Sequence, residues 1–201
     1  MSKSHQKTAQ IVQLAVLIAL LAVLTLTGLG FINYGIVSIT ILHIPVILAS
    51  LLLSWKEGAI VGFTFGLVSM LNATFRGTTP VDLMFSPFGA HNMPLQALIM
   101  CFVPRILLGI TPDLLRSLFL KIWNNKAVSY GLAALLSTVL HTVLVLGCLY
   151  FMFFPEVGFT DSLSAIFGTV IGVNGLLEAG AATILSPLIA IPVKTFLNHR
   201  N

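Results

Sequence analysis

The sequence predicts an all-α membrane protein with six transmembrane helices, and three observations support this fold class. Of the 201 residues, 57% are hydrophobic and only 8% are charged, a composition far from that of soluble domains. The apolar residues form runs approaching the roughly 20 residues that a helix needs to cross a bilayer. The positive charges fall in alternate connections between these runs. We expect residues 1–201 to form a single six-helix transmembrane domain.

The predicted spans are six apolar runs separated by connections rich in Gly, Pro and polar residues. They cover residues 9–28, 40–54, 57–73, 93–111, 128–153 and 164–194. The second and third runs are short, so we expect some segments not to cross the bilayer fully. No small-residue cleavage site follows the first run, which predicts a retained span instead of a secretory signal.

The distribution of basic residues predicts the orientation of the chain. The termini and the even-numbered connections carry Lys3, Lys7, Lys56, Arg116, Lys121, Lys126, Lys194 and Arg200. The odd-numbered connections carry only Arg76. The positive-inside rule therefore places both termini in the cytoplasm and three longer connections outside, at residues 28–40, 74–92 and 154–163. The Gly, Pro, Asn and aromatic residues of these connections favour a cover over a site.

Small residues recur at helical spacing on two of the predicted spans. Gly58, Gly62 and Gly66 are four residues apart on the third span, and the sixth span carries Gly168 and Gly172. Small residues on one helical face allow close approach of two backbones, so we expect both sets to be helix-packing seams.

Arg105 is the residue that the apolar pattern explains least. It lies 11 residues inside the fourth span from Pro94, or about 16 Å at the helical rise, close to the bilayer centre. An arginine at this depth costs roughly 2.5–3.5 kcal/mol and has to face protein or water. Pro104 removes the backbone hydrogen bond to the Met100 carbonyl, which leaves a free acceptor one turn outward of Arg105.

Two other spans carry polar side chains at a matching depth. His141 lies midway along the fifth span, flanked by Ser137, Thr138 and Thr142. Glu178 lies midway along the sixth span, and Asn174 shares its helix face four residues earlier. Together with Arg105, these groups predict one pocket for a small, polar solute entering from outside.

Two interpretations of this cluster remain open. Arg105 and Glu178 could form a salt bridge that fastens two spans, with His141 as a satisfied core histidine. In that case an anion would be attracted by Arg76 or His91 in the outer connection and by the amino termini of the second, fourth and sixth spans.

The sequence lacks the residues that several classes of function require. The sequence contains no GxxxxGK[ST], GxSxG or HExxH motif and no paired carboxylates on one span, so we predict no catalytic residues and no metal or cofactor in this chain. Cys101 and Cys148 lie in apolar segments and are expected to be packing residues. The net charge of +4 forms no basic cluster with exposed aromatic residues, which excludes nucleic acid as a partner.

Four stretches, in this order, resemble the substrate-binding S components of energy-coupling factor (ECF) vitamin transporters. They are HIPVILASLLLSWKEGAIVGFTFGLVS (43–69), PRILLGI (104–110), LHTVLVLG (140–147) and NGLLEAGAATIL (174–185). The resemblance extends over essentially the whole chain and is greatest to the pantothenate-type S components.

The resemblance implies a mechanism and partners in a bacterial cell membrane. Such a subunit captures its vitamin outside, associates with a transmembrane coupling subunit (EcfT) and two cytoplasmic ATPases that use ATP, and topples to deliver the vitamin inward. Small residues on the first span form the coupling face in relatives. Ala15, Ala19 and Ala22 match that role, and ordinary helix packing is the alternative.

The resemblance also implies which residues meet the ligand. Family contacts fall on the first outer connection and on spans four to six, which here brings in Asn33, Tyr34, His141 and Asn174. At the start of the fourth span, the added candidates are His91, Asn92 and Gln96. We also expect Asn72, at the outer end of the third span, to help hold the third outer connection.

The sequence leaves three alternatives to pantothenate uptake open. One is an S component for another small vitamin, either pyridoxine-like or a hydroxymethylpyrimidine. A second is a solitary secondary carrier coupled to protons through Glu178 or His141, although no inverted repeat is evident. A third is a membrane enzyme or a chaperone-like helper.

Overall fold

The computed structural model describes residues 3–34, 37–77, 80–89, 92–153, 168 and 174–199. Its helices are α1 (Lys3–Leu26), α2 (His43–Leu52), α3 (Trp55–Arg76), α4 (Pro80–Met84), α5 (Pro94–Ile122), α6 (Lys126–Cys148) and α7 (Gly175–His199). A π-helical turn, Leu149–Phe153, continues α6, and the strands β1 (Phe31–Tyr34) and β2 (Val37–Thr40) lie between α1 and α2.

The structure has the helical membrane fold predicted from the sequence, but one of the predicted spans is a short helix. Within the described ranges, α1, α3, α5, α7 and α6 with its π-helical turn are long and apolar enough to cross a bilayer. The second predicted span is α2, whose 10 residues rise about 15 Å, half the thickness of a bilayer core. The described residues therefore form five long apolar helices and one short one.

The third span is longer than predicted. Residues 57–73 were expected, whereas α3 has 22 residues and ends at Arg76. Ser54 caps the helix by accepting a hydrogen bond from the Lys56 amide at 3.3 Å, and its hydroxyl donates to the Glu57 carboxylate. The Ser-x-x-Glu sequence is that of a capping box, and Ser54 is the N-cap that begins the helix at Trp55. The expectation of a short third span is wrong.

The fourth span also extends beyond its predicted end. We expected residues 93–111, but α5 continues through Pro112 to Ile122. The Asp113 amide donates to the Ser50 hydroxyl on α2 at 3.1 Å, and the Asp113 carboxylate pairs with Arg116. The bond to α2 and the ion pair within α5 compensate for the helix-breaking proline and for the polar residues at the end of the apolar run.

The first outer connection is an antiparallel β-hairpin, which is the exception to an all-α fold. Gly28 follows α1 with φ 75°, a conformation that glycine adopts without strain. The strands then pair with Asn33 opposite Ser38 and Tyr34 opposite Val37. We call the end of the bundle that carries β1 and β2 the hairpin end.

The structure describes part of the second outer connection and none of the third. In residues 74–92, α3 continues to Arg76 and α4 follows after residues 78–79. The third connection, 154–163, lies outside the described residues. The sixth predicted span, 164–194, is described as α7 from Gly175 to His199, together with Gly168 and Asn174.

Helix α2 lies at the centre of the bundle. All residues from His43 to Leu51 are buried, and α2 packs against α3, α5 and α7. The apolar cluster around it includes Val46, Ile47 and Leu108. A short helix that is apolar on every side is stable only when other elements surround it.

The predicted glycine seam on α3 is confirmed. A Cβ on Gly58, Gly62 or Gly66 would collide with the main-chain carbonyl of Gly109, Arg105 or Cys101, respectively. The two antiparallel helices are therefore in backbone contact at every turn of the seam. This contact fixes the position of α5 at Arg105.

The corresponding prediction for the sixth span is not supported at Gly168. A Cβ there would meet no atom within 4 Å of the described structure. The second glycine of that pair, Gly172, lies outside the described residues.

Gly62→Ala tests the seam, because the added methyl group would meet the main chain of Arg105, which cannot rotate away. We expect the free energy of unfolding to fall by about 1–3 kcal/mol, although alanine favours the helix more than glycine does. Thermal unfolding in detergent measures the change. The matched control is Gly180→Ala on α7, where an added Cβ meets no atom of the described residues within 4 Å, and it should be neutral or slightly stabilising. Equal midpoints for the two variants would show that the helices do not touch at Gly62.

Candidate functional site

Arg105 is buried in the bundle with 6% of its surface exposed. Its Nη1 donates a hydrogen bond to the carbonyl oxygen of Met100 on the same helix. Pro104 has no N–H to occupy that carbonyl, so the acceptor expected from the sequence is the one that the guanidinium uses. The side chain thus folds back along its own helix toward the hairpin end.

Two aromatic rings surround the guanidinium of Arg105. Its Cζ lies over the Phe85 ring at 4.8 Å from the centroid and over the Phe65 ring at 5.7 Å. Both distances are within cation–π range, and a desolvated cation gains most from such contacts. The Nε of Arg105 is buried and has no hydrogen-bond partner in the part of the chain that the structure describes.

The salt bridge between Arg105 and Glu178 is not formed. Among the described residues the two side chains have no N···O contact within 4.0 Å, and the ion pair that is present joins Arg116 to Asp113. The Glu178 Oε1 instead accepts a hydrogen bond from the Thr40 amide at 2.8 Å. The structure therefore does not support the interpretation of a structural ion pair between these two residues.

His43 also belongs to the cluster, although it is not among the site residues predicted from the sequence. It is the first residue of α2, is buried, and places Nε2 3.2 Å from the carbonyl oxygen of Glu178. Its Nδ1 has no hydrogen-bond partner among the described residues. A histidine at the start of an apolar helix is a signal of the kind that drew attention to Arg105.

His141 lies on the α6 side of the same cluster. Its ring is 6.3 Å from that of Phe65, so Phe65 contacts both Arg105 and His141. The Nε2 of His141 and the nearby Ser137 hydroxyl are buried without hydrogen-bond partners in the described structure.

The structure therefore brings together polar groups from four helices. The shared set is His43 on α2, Arg105 on α5, His141 on α6 and Glu178 on α7. Buried polar atoms normally find hydrogen-bond partners, and each unpartnered one calls for an explanation. Here the unpartnered donors and acceptors of three of these residues belong to one cluster, which is the arrangement expected for a small polar ligand.

The remaining predicted ligand residues differ in how the structure places them. Asn174, four residues before Glu178, is buried with 6% exposure. Gln96 and Asn72 are half-buried, and Asn92 is exposed with φ 52°, its amide donating to the Gly89 carbonyl at 3.2 Å. The backbones of Asn33 and Tyr34 lie in β1, and His91 is outside the described residues.

The second outer connection is pinned onto the bundle above Arg105. The hydroxyls of Thr74 and Ser86 are 2.9 Å apart, and the Cys101 thiol donates to the Phe85 carbonyl oxygen at 3.1 Å. These bonds hold the Phe85 ring against the guanidinium. Cys101 and Cys148 are free cysteines.

Arg76 has a structural role at the hairpin end. Its Nη1 donates to the Leu26 carbonyl oxygen at 2.7 Å, at the last turn of α1. This bond places a cation at the carboxyl end of α1, where it interacts favourably with the helix dipole. It also ties the end of α3 to the end of α1, beside the hairpin.

Glu178 can be tested as the residue that holds the hairpin to α7. Glu178→Gln keeps an oxygen that can accept from the Thr40 amide, whereas Glu178→Leu removes it. We expect hydrogen exchange of the Thr40 amide to speed up at least tenfold in Glu178→Leu and to stay near the wild-type rate in Glu178→Gln, because the lost bond is worth roughly 1–3 kcal/mol. Hydrogen-exchange mass spectrometry on the hairpin peptide measures this. Unchanged protection in Glu178→Leu would contradict the contact.

Comparison with known proteins identifies the family. The family model described as "ECF transporter, substrate-specific component" matches residues 9–190. The pantothenic acid transporter PanT of Lactococcus lactis subsp. cremoris (strain MG1363) is 37% identical over 195 residues, which cover 94% of this chain and 95% of that protein. The family match includes the residues of the cluster, from His43 to Glu178. The chain belongs to the ECF transporter substrate-specific components, multi-pass subunits of a transporter in the cell membrane and not enzymes.

Proposed function

We propose that this chain captures pantothenate outside the cell and delivers it inward as the S component of an ECF importer. Support for the ligand comes from the relative named as a pantothenic acid transporter, which aligns with nearly the whole chain. Support for the site comes from one observation. Arg105, His43 and His141 converge from three helices, and each has a buried polar atom without a hydrogen-bond partner among the described residues.

The proposed ligand site is centred on Arg105, His141 and Asn174. Pantothenate carries a carboxylate, an amide and two hydroxyls, and it needs both donors and acceptors around it. The rings of Phe65 and Phe85 supply the apolar walls typical of small-molecule sites. Glu178 contributes to this site through its hydrogen bond to the Thr40 amide at the end of the hairpin.

The hairpin and the start of α5 form the cover of the proposed site. Asn33 and Tyr34 lie on β1, which leads through β2 to the Glu178 contact at Thr40. Asn72, His91, Asn92 and Gln96 are proposed to complete the cover from the ends of α3 and α5. Loops positioned by a rigid scaffold are the usual place for such contacts.

The proposed topology has six membrane segments with both termini in the cytoplasm. Five segments are the long apolar helices, and the sixth is α2 together with the hairpin that precedes it. The excess of Lys and Arg in the termini and even-numbered connections supports this orientation. It places the hairpin end outside the cell.

The proposed partners are the coupling subunit EcfT and two cytoplasmic ATPases that use ATP. Helix α1 is the least buried of the five long helices described. Its buried face carries Leu17 and Leu21, whereas Ala15 and Ala19 are exposed and Ala22 is half-buried. The exposure of Ala15 and Ala19 supports this small-residue face as the surface that docks EcfT and allows the subunit to topple.

A proton-coupled solitary carrier is the second candidate. It is favoured by the presence of two histidines and a glutamate in one buried cluster, the kind of group that relays protons in transporters. Reconstitution into liposomes separates the two. An S component needs EcfT, the ATPases and ATP for accumulation, whereas a carrier accumulates pantothenate alone when a proton gradient is applied.

Pantothenate binding by Asn174→Ala and His141→Ala tests the site. We expect each substitution to weaken binding at least tenfold. A buried ligand group then loses its hydrogen-bond partner, which costs about 1–3 kcal/mol of binding free energy. Isothermal titration on the purified protein measures the dissociation constant. Asn124→Ala, at an exposed position between α5 and α6, is the control and should bind as the wild type does. Wild-type affinity in both site variants would remove the assignment.

A further inference from the structure

We propose that Arg105 determines the specificity of this site by binding the carboxylate of the ligand through its Nε edge, so that the protein selects an anionic vitamin over a neutral one. The inference rests on the proposed function and adds the ligand group that Arg105 recognises. It also decides between pantothenate and the neutral alternatives, since a pyridoxine-like compound or a hydroxymethylpyrimidine has no carboxylate.

The hydrogen bonding of the guanidinium leaves one edge for a ligand. Nη1 donates to the Met100 carbonyl oxygen on the same helix. In a guanidinium, Nη1 lies on the side of Cδ, whereas Nε–H and Nη2 point outward together along the opposite edge. That edge is the one that binds a carboxylate with two parallel hydrogen bonds. The Nε–H on this edge is buried and has no hydrogen-bond partner in the described ranges.

The surroundings of the guanidinium increase the need for an acceptor on that edge. Phe85 and Phe65 place their rings 4.8 and 5.7 Å from Cζ, and the Cys101 bond to the Phe85 carbonyl holds the nearer ring in position. Aromatic rings do not accept a full hydrogen bond from Nε–H. A charge-assisted bond is strong in such a low-dielectric setting, and an unmade one is correspondingly costly.

The charge around Arg105 is also incomplete without an anion. No carboxylate lies within 4.0 Å of it among the described residues. The Oε1 of Glu178 is committed to the Thr40 amide. His43 and His141 offer ring nitrogens but no negative charge. A ligand carboxylate supplies both the planar pair of acceptors and the charge, whereas a ligand hydroxyl supplies only one acceptor.

The decisive experiment compares pantothenate with pantothenol, in which a CH₂OH group replaces the carboxylate and the rest of the molecule is unchanged. We expect wild-type protein to bind pantothenate roughly 100-fold or more tightly than pantothenol, because a site built for a polar group strongly rejects the analogue that lacks it. In Arg105→Gln, the ratio should fall to near one. Isothermal titration gives both constants, and thermal unfolding checks that the variant is folded.

The outcomes separate this inference from the proposed function. Equal wild-type affinities for the two compounds would overturn the inference and leave pantothenate capture standing. Binding of neither compound would overturn both. The wild-type ratio requires no substitution, so the proposal stays testable even where Arg105→Gln does not fold.

Discussion

The hydrogen bond between the Arg105 guanidinium and the Met100 carbonyl is the interaction on which the site depends. A proline next to an arginine in an apolar helix solves two problems together, because Pro104 frees a carbonyl that the buried cation needs. The glycine seam of α3 then packs against the main chain of α5 at Arg105, which fixes the backbone from which the guanidinium extends. Its charge is left without an ion-pair partner within 4.0 Å in the described structure.

The short helix α2 links this site to both ends of the bundle. At the hairpin end, His43 and the preceding Thr40 both bond to Glu178 on α7. At the opposite end, the Ser50 hydroxyl accepts from the Asp113 amide, and Lys194 donates to the carbonyl of Leu51 at 3.2 Å. A buried helix of 10 residues, bonded to α7 at the hairpin end and to α5 and α7 at the opposite end, gives the hairpin a rigid base.

Much of the fold and part of the site follow from the sequence. Hydropathy located the long helices, the spacing of Gly62 and its neighbours predicted the seam, and Pro104 predicted the acceptor that Arg105 uses. The helix ends were less predictable, since the capping box at Ser54 and the contacts of Asp113 extend α3 and α5 beyond the apolar runs. Charge pairing suggested a partner for Arg105 in Glu178, but a main-chain amide brought close by the hairpin competes for that carboxylate. Such long-range contacts depend on tertiary packing that periodicity does not report.

The most direct test of this account observes the Arg105 Nε–H itself. Its ¹H–¹⁵N resonance can be assigned by its loss in Arg105→Lys and followed while ligand is added to the protein in detergent. We expect pantothenate to move this proton resonance downfield and to slow its exchange with water, because the unpaired Nε–H of Arg105 gains a charged acceptor. A resonance that is unchanged at saturating pantothenate would contradict the claim that this guanidinium is the centre of the site.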